Sequence, residues 1–308
     1  MDNPQETDNL NIKCNTQSIK CLSNIKWLAG FFDTEGSIAF TTEPSINIIN
    51  TCSRMSFFIK DILNSIRINA SINDSEKPSK SSKKPRWNIT LKDKDQIKLF
   101  IKHLRPFIKT KILQLDLVDE WYNTNDEKIK DKIKFVNEFK DKIYLNQVEK
   151  KYPDIPVLND EDGIITYGTF LDLDYLAGLL DGDGNIKLDC QIKRREVKYI
   201  PQVLFINTNK VTVNNYCSIL KNINVGHKIN FRRSGKITKR RRWDITVLGI
   251  KRCCNFLEQV KDRLEIRREQ ANLLLQYCKH RLMTPIKEDN LGFDCKKSLE
   301  NMQKGFYI

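Results

Sequence analysis

Two stretches of the chain share one pattern of apolar and polar positions. Trp27-Leu-Ala-Gly-Phe-Phe-Asp-Thr-Glu-Gly36 and Tyr175-Leu-Ala-Gly-Leu-Leu-Asp-Gly-Asp-Gly184 each run aromatic, Leu-Ala-Gly, two large apolar residues, acid, any residue, acid, Gly. An apolar run with small residues inside it predicts a helix that lies very close against another helix. The acid-x-acid-Gly end predicts that the helix stops there, with Gly as a left-handed exit.

Periodicity places similar elements after each copy. In the first unit Ser23 or Asn24 is expected to cap a helix running to Asp33, after a polar, disordered N-terminal extension over 1–21. Strands follow at 37–43 and 45–50, a helix at 53–66, strands at 68–73 and 86–91, and helices at 93–104 and 110–122. The Lys-, Ser- and Pro-rich segment Glu76–Pro85 reads as a mobile loop. The second unit repeats the order: helix 173–181, strands 185–193 and 199–207, helix 211–223, strands 227–233 and 239–247 around Ser234-Gly235, and helices from 250 to 280. Trp87-Asn-Ile-Thr90 is echoed by Trp243-Asp-Ile-Thr246, and Arg105–Lys111 by Arg263–Arg267. The expected organisation is a unit at 22–122, a linker with a charged helix (about 126–142) at 123–170, a second unit at 171–283, and a tail at 284–308 with little signal.

Charge narrows the choice of partner. With 53 Lys+Arg against 39 Asp+Glu, the 308-residue chain carries a formal net charge of +14, which points to a polyanion. No apolar run approaches the about 18 residues of a membrane span. No cationic amphipathic helix with a broad apolar face suggests a membrane surface either. Asp2, Glu6 and Asp8 make the N-terminus unlike a secretory signal or a transit peptide. The nine cysteines are scattered without zinc-ribbon spacing, and are read as free thiols, mostly small core residues in a reducing compartment.

The expected strands split into two faces. Ile186, Leu188, Cys190 and Ile192 alternate with Asn185, Lys187, Asp189, Gln191 and Lys193, so the first set is expected to pack on helices and the second to face outward. Likewise Trp243, Ile245 and Val247 point inward, while Arg242, Asp244 and Thr246 point outward. Basic clusters flank the hairpins at Lys193-Arg194-Arg195, Arg232-Arg233 and Lys239–Arg242. Such a ribbon fits a DNA major groove. Candidate contacts are Arg86, Asn88, Lys187, Gln191, Lys193, Arg195, Arg232, Arg233, Arg240 and Arg242.

The motif acids need a separate account. Asp33, Glu35, Asp181 and Asp183 stand at helix C-termini, where the macrodipole is already negative. A divalent cation resolves that conflict, and phosphodiester cleavage uses such ions. Local hydrogen bonding is the plainer alternative, applied mainly to Asp33 and Asp181. An EF-hand at Asp181 fails, because Ile186 and Ile192 fall where Gly and Glu are required.

At these residues the chain resembles the LAGLIDADG homing endonucleases of the single-chain, double-motif class, over roughly 22–282. The resemblance implies an α+β fold of two pseudo-symmetric αββαββα units, with the motif helices packed at the unit interface and saddle-shaped antiparallel sheets on DNA. Ala29, Gly30, Ala177 and Gly178 would form that helix contact. It also implies a monomeric, site-specific double-strand endonuclease with a long asymmetric target, leaving short 3′ overhangs. By position, Glu35 and Asp183 would bind two or three Mg²⁺ ions, replaceable in vitro by Mn²⁺ or Ca²⁺. Asn50 and Asn209 would order water, and Lys111 and Arg267 would stabilise the transition state. The gene is expected in a mitochondrion or chloroplast, with a bacterial cytoplasm as the alternative. The rival readings are an intron RNA maturase on the same scaffold and a non-catalytic DNA-binding protein.

Overall fold

The computed structural model describes residues 4–75, 86–124, 126–139, 165, 167–193, 196–232, 242–284 and 290–305. The first motif closes a long helix, α1 (Pro4–Glu35), followed by β1 (Gly36–Phe40), β2 (Pro44–Asn50), α2 (Ser53–Ser65), β3 (Ser71–Ser75), β4 (Arg86–Leu91), α3 (Lys94–Leu104), α4 (Ile112–Thr124) and α5 (Glu127–Phe139). The second motif is α6 (Leu173–Asp183). It precedes β5 (Gly184–Lys193), β6 (Glu196–Asn207), α7 (Lys210–Asn222), β7 (Lys228–Arg232), β8 (Arg242–Leu248), α8 (Ile250–Val260), α9 (Arg268–Met283) and α10 (Asn290–Gly305). Both sheets are antiparallel and share one order, β1-β2-β4-β3 and β5-β6-β8-β7. The two-unit α+β architecture read from the repeat is the one observed.

Register makes the repeat exact to the residue. Gly36 pairs with Ile48 and Asn50 with Trp87 in one sheet; Gly184 pairs with Phe205 and Asn207 with Trp243 in the other. One face of each sheet is buried against helices through residues such as Ile48, Ile89, Phe205 and Trp243. Each such side chain contributes roughly 1.5–3 kcal/mol relative to exposure. Phe205 stacks on Tyr216 of α7 at 4.2 Å, and Phe32 meets Phe100 of α3 edge-on at 5.1 Å.

Four sequence expectations need correction. The first helix begins at Pro4 and runs through Ser23 and Asn24, because no further Pro or Gly interrupts it before Gly30 and Pro is well suited to a first helical turn. The exit glycines are not left-handed: Gly184 has φ −80° and ψ 162°, and Gly36 is already in a strand. They are required by space instead. A Cβ on Gly36 would stand 2.0 Å from the Phe32 ring, and one on Gly184 2.3 Å from the Leu180 carbonyl oxygen. Along β5, Ile186 and Leu188 are buried, but Cys190 is exposed and Ile192 is 74% exposed opposite Val197 at 48%. The β5–β6 hairpin outruns the helices that cover its base.

The last correction concerns the segments after each unit. α5 packs on β1, and α10 packs on β5, so each unit carries one more helix, placed over its edge strand. Gln303 of α10 donates from Nε2 to the Asn185 side-chain oxygen and to the Ile186 carbonyl, both at 3.0 Å. The described cysteines are free thiols, with Cys217, Cys253, Cys254, Cys278 and Cys295 buried as expected. No helix among the described residues is long and apolar enough to cross a membrane. The expected loop Glu76–Pro85, the turn Ser234-Gly235 and the candidates Arg195, Arg233 and Arg240 lie outside the described residues, as does the Lys193 side chain.

Candidate active site at the motif helix ends

The small residues of the two motifs let α1 and α6 touch backbone to backbone. A Cβ on Gly30 would stand 2.1 Å from the Tyr175 carbonyl oxygen, and one on Gly178 2.0 Å from that of Trp27. Ala29 and Ala177 are fully buried beside them. The contact persists to the ends of the helices, where the Cβ position of Gly182 is 2.0 Å from Thr34 Oγ1 and 3.4 Å from Glu35 Cγ. That approach brings the two terminal acids together.

The first acid of each motif is structural. Asp33 is buried and accepts the backbone N–H groups of Lys109 (2.8 Å), Thr110 (3.1 Å) and Lys111 (3.0 Å). Asp181 is buried and accepts those of Glu265 (2.7 Å), Ile266 (3.2 Å) and Arg267 (2.9 Å). These N–H groups belong to the turns entering α4 and α9. Each acid therefore fixes the start of a closing helix and orients the basic residue there. The expected local bonding is replaced by bonding across the fold.

The basic residues return to the motif helices. Lys111 Nζ donates to the carbonyls of Phe32 (2.9 Å) and Asp33. Arg267 donates from Nε to Leu180 (2.8 Å) and from a terminal nitrogen to Gly182 (3.3 Å). Positive charge thus offsets both negative helix ends.

Glu35 and Asp183 are the remaining motif acids. Burial, then the neighbouring charge of Asp183, pushes the Glu35 carboxyl up to about 7 against the partial relief of Lys111 and Arg267. Burial also raises Asp183, opposed by a hydrogen bond from Asn207 and by the same two cations. Two desolvated carboxylates sharing one environment favour a bound cation. The donor set is all oxygen, which suits a hard divalent ion. Among the described residues no cluster of three His, Cys, Asp or Glu side chains surrounds it. Mg²⁺ ordinarily uses one or two carboxylates and keeps water or substrate phosphate for its remaining positions, so this pair fits. A cleft of about 290 Å³ opens beside Asp183, with Lys111, Gln114, Asn207 and Asn209 in its wall.

The asparagine assignment shifts by two residues in the second unit. Asn207, not Asn209, occupies the register position of Asn50. Both turn their side-chain oxygens to the N–H two residues on, Cys52 and Asn209, at 2.7 Å. Asn207 also donates from Nδ2 to Asp183 at 2.8 Å. Asn209 is the N-cap of α7, accepting from Val211 (2.9 Å) and Thr212 (3.2 Å), so its side-chain oxygen is committed to the helix. Gln114, in the cleft wall, and Gln270 are further polar residues that follow the two cations in sequence. Each lies three residues beyond its basic residue, and both are buried; Gln270 has neither polar side-chain atom hydrogen-bonded among the described residues. Both read basic-x-x-Gln, in Lys111–Gln114 and Arg267–Gln270.

The described DNA-contact candidates share the sheet faces turned away from the helices. Lys187 pairs with Gln202 and lies 2.9 Å from Asp189; Gln191 pairs with Lys198. Arg86 pairs with Ser75, Asn88 with Asn73, and Arg232 with Arg242.

No family model matches the chain, and no curated protein does. Solved structures do. The LAGLIDADG meganuclease I-AabMI bound to uncleaved DNA aligns at TM-score 0.61 and 15% identity, over 91% of this chain and 98% of that one. Meganuclease I-SmaMI bound to uncleaveable DNA gives 0.61 and 15% over 92% and 98%. The I-LtrWI LAGLIDADG homing endonuclease bound to target DNA gives 0.61 and 13% over 91% and 97%. This chain has the fold of the LAGLIDADG homing endonucleases, with both motif copies on one polypeptide.

Proposed function

We propose that the protein is a monomeric, site-specific endonuclease of double-stranded DNA that hydrolyses one phosphodiester in each strand and leaves short 3′ overhangs. The observation that carries this reading is the meeting of Glu35 and Asp183 at the ends of two packed helices, each acid beside a basic residue held by a helix-end carbonyl. The outward faces of both sheets would lie on the duplex. Glu35 and Asp183 would hold the divalent ions, Mg²⁺ in the first instance. Bound there, such ions supply Lewis-acid charge and lower the pKa of water.

The chain's own groups do the rest. Asn207 holds the Asp183 carboxylate through Nδ2 and fixes its orientation. Lys111 and Arg267 place fixed positive charge where negative charge builds on the phosphate, and their attachment to helix carbonyls limits their movement during reaction. Asp33 and Asp181 hold the turns that deliver those two cations.

Selection of cleaved sites from a randomised duplex library in Mg²⁺ tests the reading. The expected result is one long, asymmetric site cut in both strands. Recovery of no cleaved site would sink it and would favour the maturase or the non-catalytic DNA-binding reading. A gene in a mitochondrion or chloroplast remains part of the proposal, supported by the A/T-coded Lys, Asn and Ile content.

A further inference from the structure

The two outward sheet faces occupy one lattice of register positions but differ in chemistry. Matching Ser71↔Thr90 with Lys228↔Thr246 aligns Ser75, Asn88 and Arg86 of the first sheet with Arg232, Asp244 and Arg242 of the second. Among the described residues, the first face carries Arg86 as its basic side chain. The second carries Lys187, Lys198, Lys228, Arg232 and Arg242.

Asp244 is the unusual member. It lies on the polar face yet is only 4% exposed. A carboxylate at such a position is costly unless paired. Its partners are the two arginines: Arg232 Nε stands 2.5 Å from Oδ2, and Arg242 Nε 3.1 Å from Oδ1. The first is a close ion pair. The second is a charge contact without hydrogen-bond alignment among the described residues, where Arg242 Nε and Asp244 Oδ1 remain unmatched. Arg232 is 58% exposed at its side chain, so a guanidinium anchored below still reaches the surface. One carboxylate offers about four lone-pair positions against roughly ten N–H donors on two guanidiniums. Donors are left over for a ligand, with the Arg232 fork held by its close ion pair and Arg242 drawn to the same carboxylate by charge.

We infer that Arg232, Asp244 and Arg242 form a guanine-reading element in the half-site under the C-terminal sheet, with Asp244 as the positioning residue. A restrained guanidinium fork matches guanine O6 and N7 in the major groove, whereas an amide such as Asn88 matches adenine. The half-site under the C-terminal sheet is therefore expected to require guanine at the positions under the trio. This rests on the double-stranded DNA reading proposed above.

The test is binding of the full chain to a randomised duplex library, with the bound fraction sequenced at two salt concentrations. The chains compared are wild type, Asp244→Asn, and the double variant Arg232→Lys with Arg242→Lys. The wild type is expected to enrich guanine in one half-site. The double variant keeps both charges, so its salt slope stays the same while guanine discrimination falls roughly tenfold to a hundredfold. Asp244→Asn is expected to lose discrimination at the same positions and to bind random duplex as tightly or more tightly. Unchanged guanine preference in the double variant makes the arginines phosphate contacts and overturns the inference. So does an Asp244→Asn chain that loses preference equally over both half-sites, which is what a purely structural role predicts. A wild type that enriches duplexes without guanine there refutes the inference alone, whereas one that enriches no duplex overturns the DNA reading with it.

Discussion

The Tyr175 hydroxyl donates to Asp33 Oδ2 at 2.7 Å, so an aromatic on one motif helix holds the first acid of the other motif. The relation is reciprocal. Trp27 Nε1 donates to Asp181 Oδ2 at 2.9 Å. Each acid in turn holds the turn carrying Lys111 or Arg267, so each unit's cation is placed partly by the other unit's motif helix. The aromatic that opens each motif is thus part of the site's support as well as of the core.

Removing one brace should cost stability. Tyr175→Phe deletes a hydrogen bond to a buried carboxylate and is expected to destabilise by about 1.5–3 kcal/mol. Urea unfolding measures this. A loss below about 0.5 kcal/mol, the level of an ordinary surface substitution, would show that the backbone N–H groups alone satisfy Asp33.

The closeness of the helices gives a sharper test. Gly178→Ala places a methyl 2.0 Å from the Trp27 carbonyl oxygen, a backbone atom that can only yield by parting the helices. The expected cost is about 1–3 kcal/mol or more. Leu→Met changes elsewhere in the core should cost less than about 1.5 kcal/mol. Equal midpoints for Gly178→Ala and wild type would contradict the packing.

The two acids of each motif should separate by phenotype. Glu35→Gln or Asp183→Asn is expected to abolish cleavage while the protein still folds and its DNA affinity stays close to wild type. Asp33→Asn and Asp181→Asn are expected to lower the unfolding midpoint, since each acid accepts three backbone N–H groups. Normal cutting by Glu35→Gln or Asp183→Asn would remove that residue from the ion-binding pair.

The neighbouring asparagines should separate in the same way. Asn209→Ala removes a helix cap and is expected to cost about 0.5–2 kcal/mol with little effect on cleavage by the folded protein. Asn207→Ala leaves Asp183 without its side-chain donor and is expected to weaken cleavage and divalent-ion affinity. Titration of cleavage rate against Mg²⁺ distinguishes the two.

Glu35 also predicts a pH dependence. Burial first, and Asp183 second, raise it from an ordinary value of 4.5 to about 7. Between those values the folded state holds a proton that the unfolded chain has released. Its contribution to stability is therefore complete below about pH 4.5 and is lost as pH rises through about 7. Ion-free wild type should fall in thermal midpoint relative to Glu35→Gln on going from pH 5 to pH 8. Divalent ions compete with that proton, so their stabilisation of wild type should be larger at pH 8 than at pH 6, and this difference should be smaller in the variant, where only the raised carboxyl of Asp183 remains. Parallel curves for the two proteins would contradict the shift.

Periodicity and repetition in the sequence determined the element order within each unit and the tight motif contact, and the resemblance carried by the motifs implied the antiparallel sheets and the separate roles of Glu35 and Asp183. They could do so because helix and strand periods, small residues at a close contact and a duplicated motif are local properties of the chain. Tertiary structure decided what depends on register and on distant partners. Asn207 rather than Asn209 faces the acid because strand pairing, not sequence spacing, sets the position. Asp33 is bonded to a turn beyond residue 105 because only the fold brings that turn beside α1. The exit glycines answer to the Phe32 ring and the Leu180 carbonyl rather than to a backbone angle. Ile192 is exposed because the helices end before the hairpin does, and alternation along a strand carries no record of where its cover stops.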